Sequence, residues 1–140
     1  MDDLALAFEA AVVGRSCRVE RREADWAFDL LNKTGLAVGC HWRLVSPDGI
    51  VLTDEDHGQR FGLPEPVDAE AQANALLAGA TVSSAAVDQV TADLCLRFSN
   101  DLRLDLVNNS SGYEGWQGSF DHGGNEASII AMGGGGLAFF

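Results

Sequence analysis

Residues 91–117 read TADLCLRFSNDLRLDLVNNSSGYEGWQ, and the first half of this stretch decides the fold. Leu94, Leu96 and Phe98 alternate with Asp93, Cys95 and Arg97, the period-two pattern of a strand with one buried face. Ser99, Asn100 and Asp101 are turn formers. Leu102, Leu104 and Leu106 resume the alternation against Arg103 and Asp105, so two antiparallel arms put six large apolar side chains on one face. The stretch then ends in Tyr113-Glu114-Gly115-Trp116.

Working outward, the same design recurs in the first half of the chain. LALAFEAAVVG follows Asp3 and ends at Gly14, and DAEAQANALLAG runs from Asp68 to Gly79. Both read as Ala-rich helices with a capping Asp in front and a Gly behind. Each is followed by a strand (Trp26 to Leu30, then Ala92 to Phe98), a turn (Asn32 to Gly35, then Ser99 to Asp101) and a second alternating strand. In the first half that strand places Leu36, Val38, Cys40, Trp42 and Leu44 on one face. Ser46-Pro47-Asp48-Gly49 is a turn leading to Ile50-Val51-Leu52, which suggests a hairpin from Trp42 to Leu52. Residues 53–68 are polar and acidic and read as a linker between the halves. FDHGGNE reads as a loop, Ala127 to Met132 as a strand, and Leu137 to Phe140 as a packed last strand beyond a four-glycine break.

The expected architecture is therefore an α+β single domain over residues 1–140, made of pseudo-repeat halves at about 1–63 and 64–140. It has a mostly antiparallel sheet built from two related helix-plus-hairpin halves, with two Ala-rich helices packed on one side of one joined sheet.

A formal net charge of -12 disfavours a phosphate-backbone partner, because nucleic-acid binding needs a basic face. It favours steering toward a basic protein partner. Cys17, Cys40 and Cys95 are odd in number and have no CxxC spacing, and Cys40 and Cys95 fall inside strand patterns as small buried free thiols, so a reducing compartment is expected. Met-Asp-Asp at the start is not followed by a secretory pattern, and no apolar run reaches the ~20 residues of a membrane span. The expectation is a cytoplasmic protein with no membrane and no nucleic-acid contact.

Each chemical motif meets a plainer account. Asp54-Glu55-Asp56-His57 fails the calcium-loop spacing, so no metal site is expected. Asp121, His122 and Glu126 offer an acid–base pair, but no nucleophile motif accompanies them and turn chemistry accounts for them. No Lys-Ser or Lys-Thr follows Gly133 to Gly136, so these glycines are expected to permit a bulge or a close backbone crossing rather than to cradle phosphate. Arg15, Arg18, Arg21 and Arg22 are interleaved with Glu20 and Glu23 and read as self-neutralised surface. No catalytic residue and no cofactor is predicted. Tyr113, Glu114 and Trp116 are the candidate binding residues, since Tyr and Trp are enriched at interface hot spots and Glu114 suits a Lys or Arg of a partner. The competing account places both aromatics in core and edge positions.

The second half resembles a set of small bacterial proteins, common in actinobacteria, whose molecular function is not established. The resemblance rests on Gly79, the Thr91 to Phe98 strand, the Asn100-Asp101 turn, Tyr113 to Trp116 and Gly133 to Gly136, and it spans residues 75–140. Such proteins are similar in size and gene setting to immunity proteins of toxin systems. It implies a non-enzymatic protein-binding module, an immunity-like inhibitor of a basic toxin. The alternative is a small-molecule-binding domain or small enzyme with a pocket between sheet and helices lined by Trp26, Phe28 and Trp42. A homodimer through the apolar C-terminus is a third reading.

Overall fold

A computed structural model describes residues 3–140. Helix α1 (Asp3–Val12) is followed by strands β1 (Arg18–Arg21), β2 (Trp26–Asp29), β3 (Gly35–Val38), β4 (His41–Ser46) and β5 (Gly49–Thr53). Helix α2 (Ala69–Leu77) is followed by β6 (Val82–Val87), β7 (Leu94–Phe98), β8 (Arg103–Val107), β9 (Trp116–His122), β10 (Asn125–Ala131) and β11 (Leu137–Phe139). The α+β class with antiparallel pairing is as the sequence indicates. All six apolar residues of the 94–106 hairpin are buried, and β7 and β8 pair with Leu94 opposite Leu106 and Leu96 opposite Leu104.

The single joined sheet is not what forms. There are two sheets, ordered β1-β2-β3-β9-β10-β11 and β5-β4-β8-β7-β6. The first joins a three-strand meander of the first half to the last strands of the second half. The second sheet makes the reciprocal exchange, joining β6-β7-β8 to β4 and β5. Helix α1 packs on β6 and β9, and α2 packs on β1 and β5, so each helix also covers strands of the other half.

The reciprocity extends to single residues. Glu9 of α1 accepts the Val87 N–H through Oε2 at 2.8 Å. Asn74 of α2, which follows Asp68 as Glu9 follows Asp3, accepts the Val19 N–H at 2.8 Å and donates to the Val19 carbonyl at 2.8 Å. Each helix thereby satisfies backbone groups of a sheet edge that would otherwise stay open. At α2 the predicted cap forms, with the Asp68 side chain accepting from the Ala71 N–H. Asp3 lies inside α1 as its first residue rather than in front of it.

The alternating run Leu36 to Leu44 is one burial pattern but two strands. All five residues are buried, yet β3 belongs to the first sheet and β4 to the second. The chain crosses at Gly39 and Cys40, whose N–H groups both donate to the Gly115 carbonyl, at 2.9 and 3.0 Å. FDHGGNE is not a loop either. Phe120 to His122 end β9 and Asn125-Glu126 begin β10, with Gly123 and Gly124 at φ +63 and +85 forming the two-residue turn. The C-terminal strand does pair with β10 and Phe139 packs against the core, but Phe140 is 80% exposed.

Candidate functional site

Three loops converge at one end of the molecule: residues 88–93 between β6 and β7, 108–115 between β8 and β9, and 132–136 between β10 and β11. Backbone bonds tie them together, with Gly134 N–H donating to the Ser110 carbonyl at 2.8 Å and Gly136 N–H to the Val90 carbonyl at 3.2 Å. Asn108 is the central clamp. Its side-chain amide donates to the Thr91 and Met132 carbonyls, both at 2.9 Å, and its own N–H donates to Asp93 Oδ1 at 2.9 Å.

The glycines explain how the loops come so near. A Cβ on Gly133 would lie 2.4 Å from the Gly112 carbonyl carbon, and one on Gly135 would lie 2.0 Å from the Val90 oxygen. This is the close backbone crossing that the glycine run suggests, made against two loops rather than a neighbouring strand.

Inside the 108–115 loop, Ser110 Oγ accepts the Gly112 and Tyr113 N–H groups at 3.1 and 2.9 Å. Asp88 Oδ1 fixes the neighbouring loop by accepting from Val90 and Thr91 at 2.8 and 3.0 Å. Those bonds hold the Asp88 carboxyl below its ordinary range, so it is ionised. On this ordered backbone Tyr113 is 83% exposed, and Val90 of the 88–93 loop is 81% exposed. Glu114 is exposed as well.

Trp116 departs from the sequence-based trio. It is 2% exposed, stacks with Phe8 of α1 at 5.8 Å, and donates its indole N–H to the Ala92 carbonyl at 2.7 Å. Its ring anchors the loops from below and offers no surface to a partner. Nor is it peculiar to the second half. Trp116 stands opposite Val38 in the β3·β9 pair, as Trp42 stands opposite Leu106 in the β8·β4 pair. What the second half adds is loop: three residues separate Val38 from Trp42, and nine separate Leu106 from Trp116. Tyr113 and Glu114 lie in that insertion.

Trp26, Phe28 and Trp42, the residues of the alternative pocket, fill the space between elements instead. Trp42 meets the other two edge-to-face, with centroids 5.0 and 5.5 Å away, and all three are buried. The acidic run 54–57 is occupied with structural bonds. Asp54 accepts the Trp42 N–H and pairs with His41 at 2.9 Å, Asp56 accepts the Thr53 N–H, and His57 Nδ1 accepts the Ala69 N–H. No group of three or more metal-ligating side chains occurs among the described residues. The Cys40 and Cys17 thiols are pushed up to about 12, chiefly by burial, which removes them as nucleophiles near neutral pH. Arg22 pairs with Asp25 at 2.6 Å and Arg21 lies over the Trp26 ring, so the neutralisation by Glu20 and Glu23 that the interleaving suggests does not form among the described residues. Among the described residues no helix is long and apolar enough to cross a membrane.

Compared with models of protein families, with curated proteins and with solved structures, the chain gives no match.

Proposed function

We propose that the chain is a non-enzymatic protein-binding module that holds a basic partner at its three-loop end, in the manner of a cytoplasmic immunity protein neutralising a basic toxin. The observation that carries this is Tyr113, an aromatic 83% exposed on a backbone whose conformation is already fixed. An exposed Tyr on a pre-ordered loop delivers large contact area at small entropic cost. The loops contribute Asp88, Asp93 and Glu114 and no Lys, Arg or His. Added to a net charge of -12, this selects for a basic surface and speeds encounter with it.

The test uses the full chain as bait, followed by purification of the captured protein and calorimetry with wild type, Tyr113→Ala and Glu114→Lys. Tyr113→Ala is expected to cost about 2 kcal/mol, roughly thirtyfold in affinity. Glu114→Lys should weaken binding and flatten its salt dependence. A partner bound equally well by wild type and Tyr113→Ala refutes the reading.

A further inference from the structure

The outer face of the second sheet carries a charge pattern opposite to that of the chain as a whole. Arg97 on β7 stands directly across from Arg103 on β8, and Arg43 on β4 stands across from Asp105 on β8. Asp105 accepts from Arg43 Nε and from Arg103 Nε, each at 3.0 Å. One carboxylate is thus shared by two guanidiniums, both approaching through Nε, and Arg97 has no ion-pair partner among the described residues. Like charges directly opposite one another destabilise a strand pair. With 21 acidic residues against 9 basic ones, this chain has ample carboxylates, yet none among the described residues pairs with Arg97.

The two opposed arginines border a groove of about 380 Å³. Val45, paired with Arg103 across β4 and β8, lies on the arginine face, and Asp101 is the one carboxylate among the lining residues. The groove sits at the 99–101 end of the β7–β8 hairpin, away from the end where loops 88–93 and 108–115 meet. Its existence therefore does not depend on the loop-end reading.

We propose that this groove binds a small organic dianion, a dicarboxylate or a phosphate monoester, with one oxyanion held between the Arg97 and Arg103 guanidiniums and the carbon portion against Val45. Two guanidinium forks suit the planar, multi-oxygen geometry of such a group. The volume falls in the range of small-ligand sites. An anion there also cancels the cross-strand repulsion, so the ligand stabilises the sheet it binds.

The experiment titrates the full-length, isotope-labelled chain with succinate, with phenyl phosphate and with sodium chloride at matched ionic strength, following the arginine Nε–Hε resonances and the melting temperature. Shifts at Arg97 and Arg103 with at least one dianion, together with a raised melting temperature that chloride does not reproduce, are expected. Which dianion acts distinguishes carboxylate from phosphate. Arg97→Gln should weaken the response about tenfold, and Arg97→Lys, which keeps the charge but loses the fork, should fall between. Arg22→Gln, at the Arg22–Asp25 pair, should leave it unchanged. No response to either dianion, or an equal response in wild type and Arg97→Gln, overturns the proposal.

Discussion

Trp116 Nε1 donates to the Ala92 carbonyl at 2.7 Å, whereas Trp42, in the matching position of the other half, has a buried indole N–H with no acceptor among the described residues. Two tryptophans in equivalent strand positions thus do different work. One locks a loop of the binding end to the core, and the other contributes packing alone.

Replacing each with Phe separates these roles, since both changes remove similar volume but only one breaks a hydrogen bond. Trp116→Phe strands the Ala92 carbonyl, and Ala92 is fully buried. We expect it to be about 1–3 kcal/mol more destabilising than Trp42→Phe. Urea denaturation of both variants reads the difference, and equal losses would contradict it.

Gly135 and Gly136 give a second paired test. At Gly135 an added Cβ meets the Val90 oxygen at 2.0 Å with φ at +102, whereas at Gly136 φ is +78 and nothing lies within 4 Å. Gly136→Ala is expected to cost about 1 kcal/mol of left-handed backbone strain. Gly135→Ala adds a backbone clash and should cost about 2–4 kcal/mol. Amide exchange should also show loops 88–93 and 132–136 opening in Gly135→Ala alone.

The exchange of strands and helices between halves predicts that neither half folds alone. Fragments 1–63 and 64–140 should each lack a cooperative melting transition and regain one when mixed, because β3·β9 and β4·β8 pair only across the boundary. Circular dichroism checks this, and a cooperative transition in either isolated fragment contradicts the interlocked description.

His41 sets a small pH dependence. Its Nδ1 lies 2.9 Å from Asp54 and its Nε2 lies 3.3 Å from Glu55, and the hydrogen bond to Asp54 raises its pKa above 6.5. A raised folded value means the contribution is complete below the unfolded pKa and disappears as pH climbs through the folded one. The stability lost in His41→Gln should therefore be largest near pH 5.5 and vanish at alkaline pH. The side chain is half exposed, so solvent screening limits the loss to about 0.5 kcal/mol. Denaturation of both proteins across that range measures it, and a loss that grows with pH contradicts the assignment.

The parts of the fold that could be read from the sequence share one property: a single buried face within one element. The Leu94 to Leu106 hairpin and both Ala-rich helices are of this kind. The crossing at Gly39 and Cys40 was hidden because both sheets bury the same side of the chain in one core, so burial alternates without interruption from Leu36 to Leu44. The β9–β10 turn was hidden for the opposite reason, since Asp121, His122, Asn125 and Glu126 are exposed and leave no alternation to detect. At the candidate site, Tyr113 and Glu114 could be picked out by residue type. Trp116 looks like one of them in the sequence because the longer 108–115 loop disguises its equivalence to Trp42. Arg97 and Arg103 each look like ordinary outward strand residues in the sequence, and only the register sets them face to face.

The most direct test of the loop-end account is amide hydrogen exchange on the full chain, free and bound to the partner that it captures. Added protection confined to residues 88–93, 108–115 and 132–136, and lost in Tyr113→Ala, is the predicted result. Protection elsewhere, with those three loops exchanging as in the free chain, would contradict it.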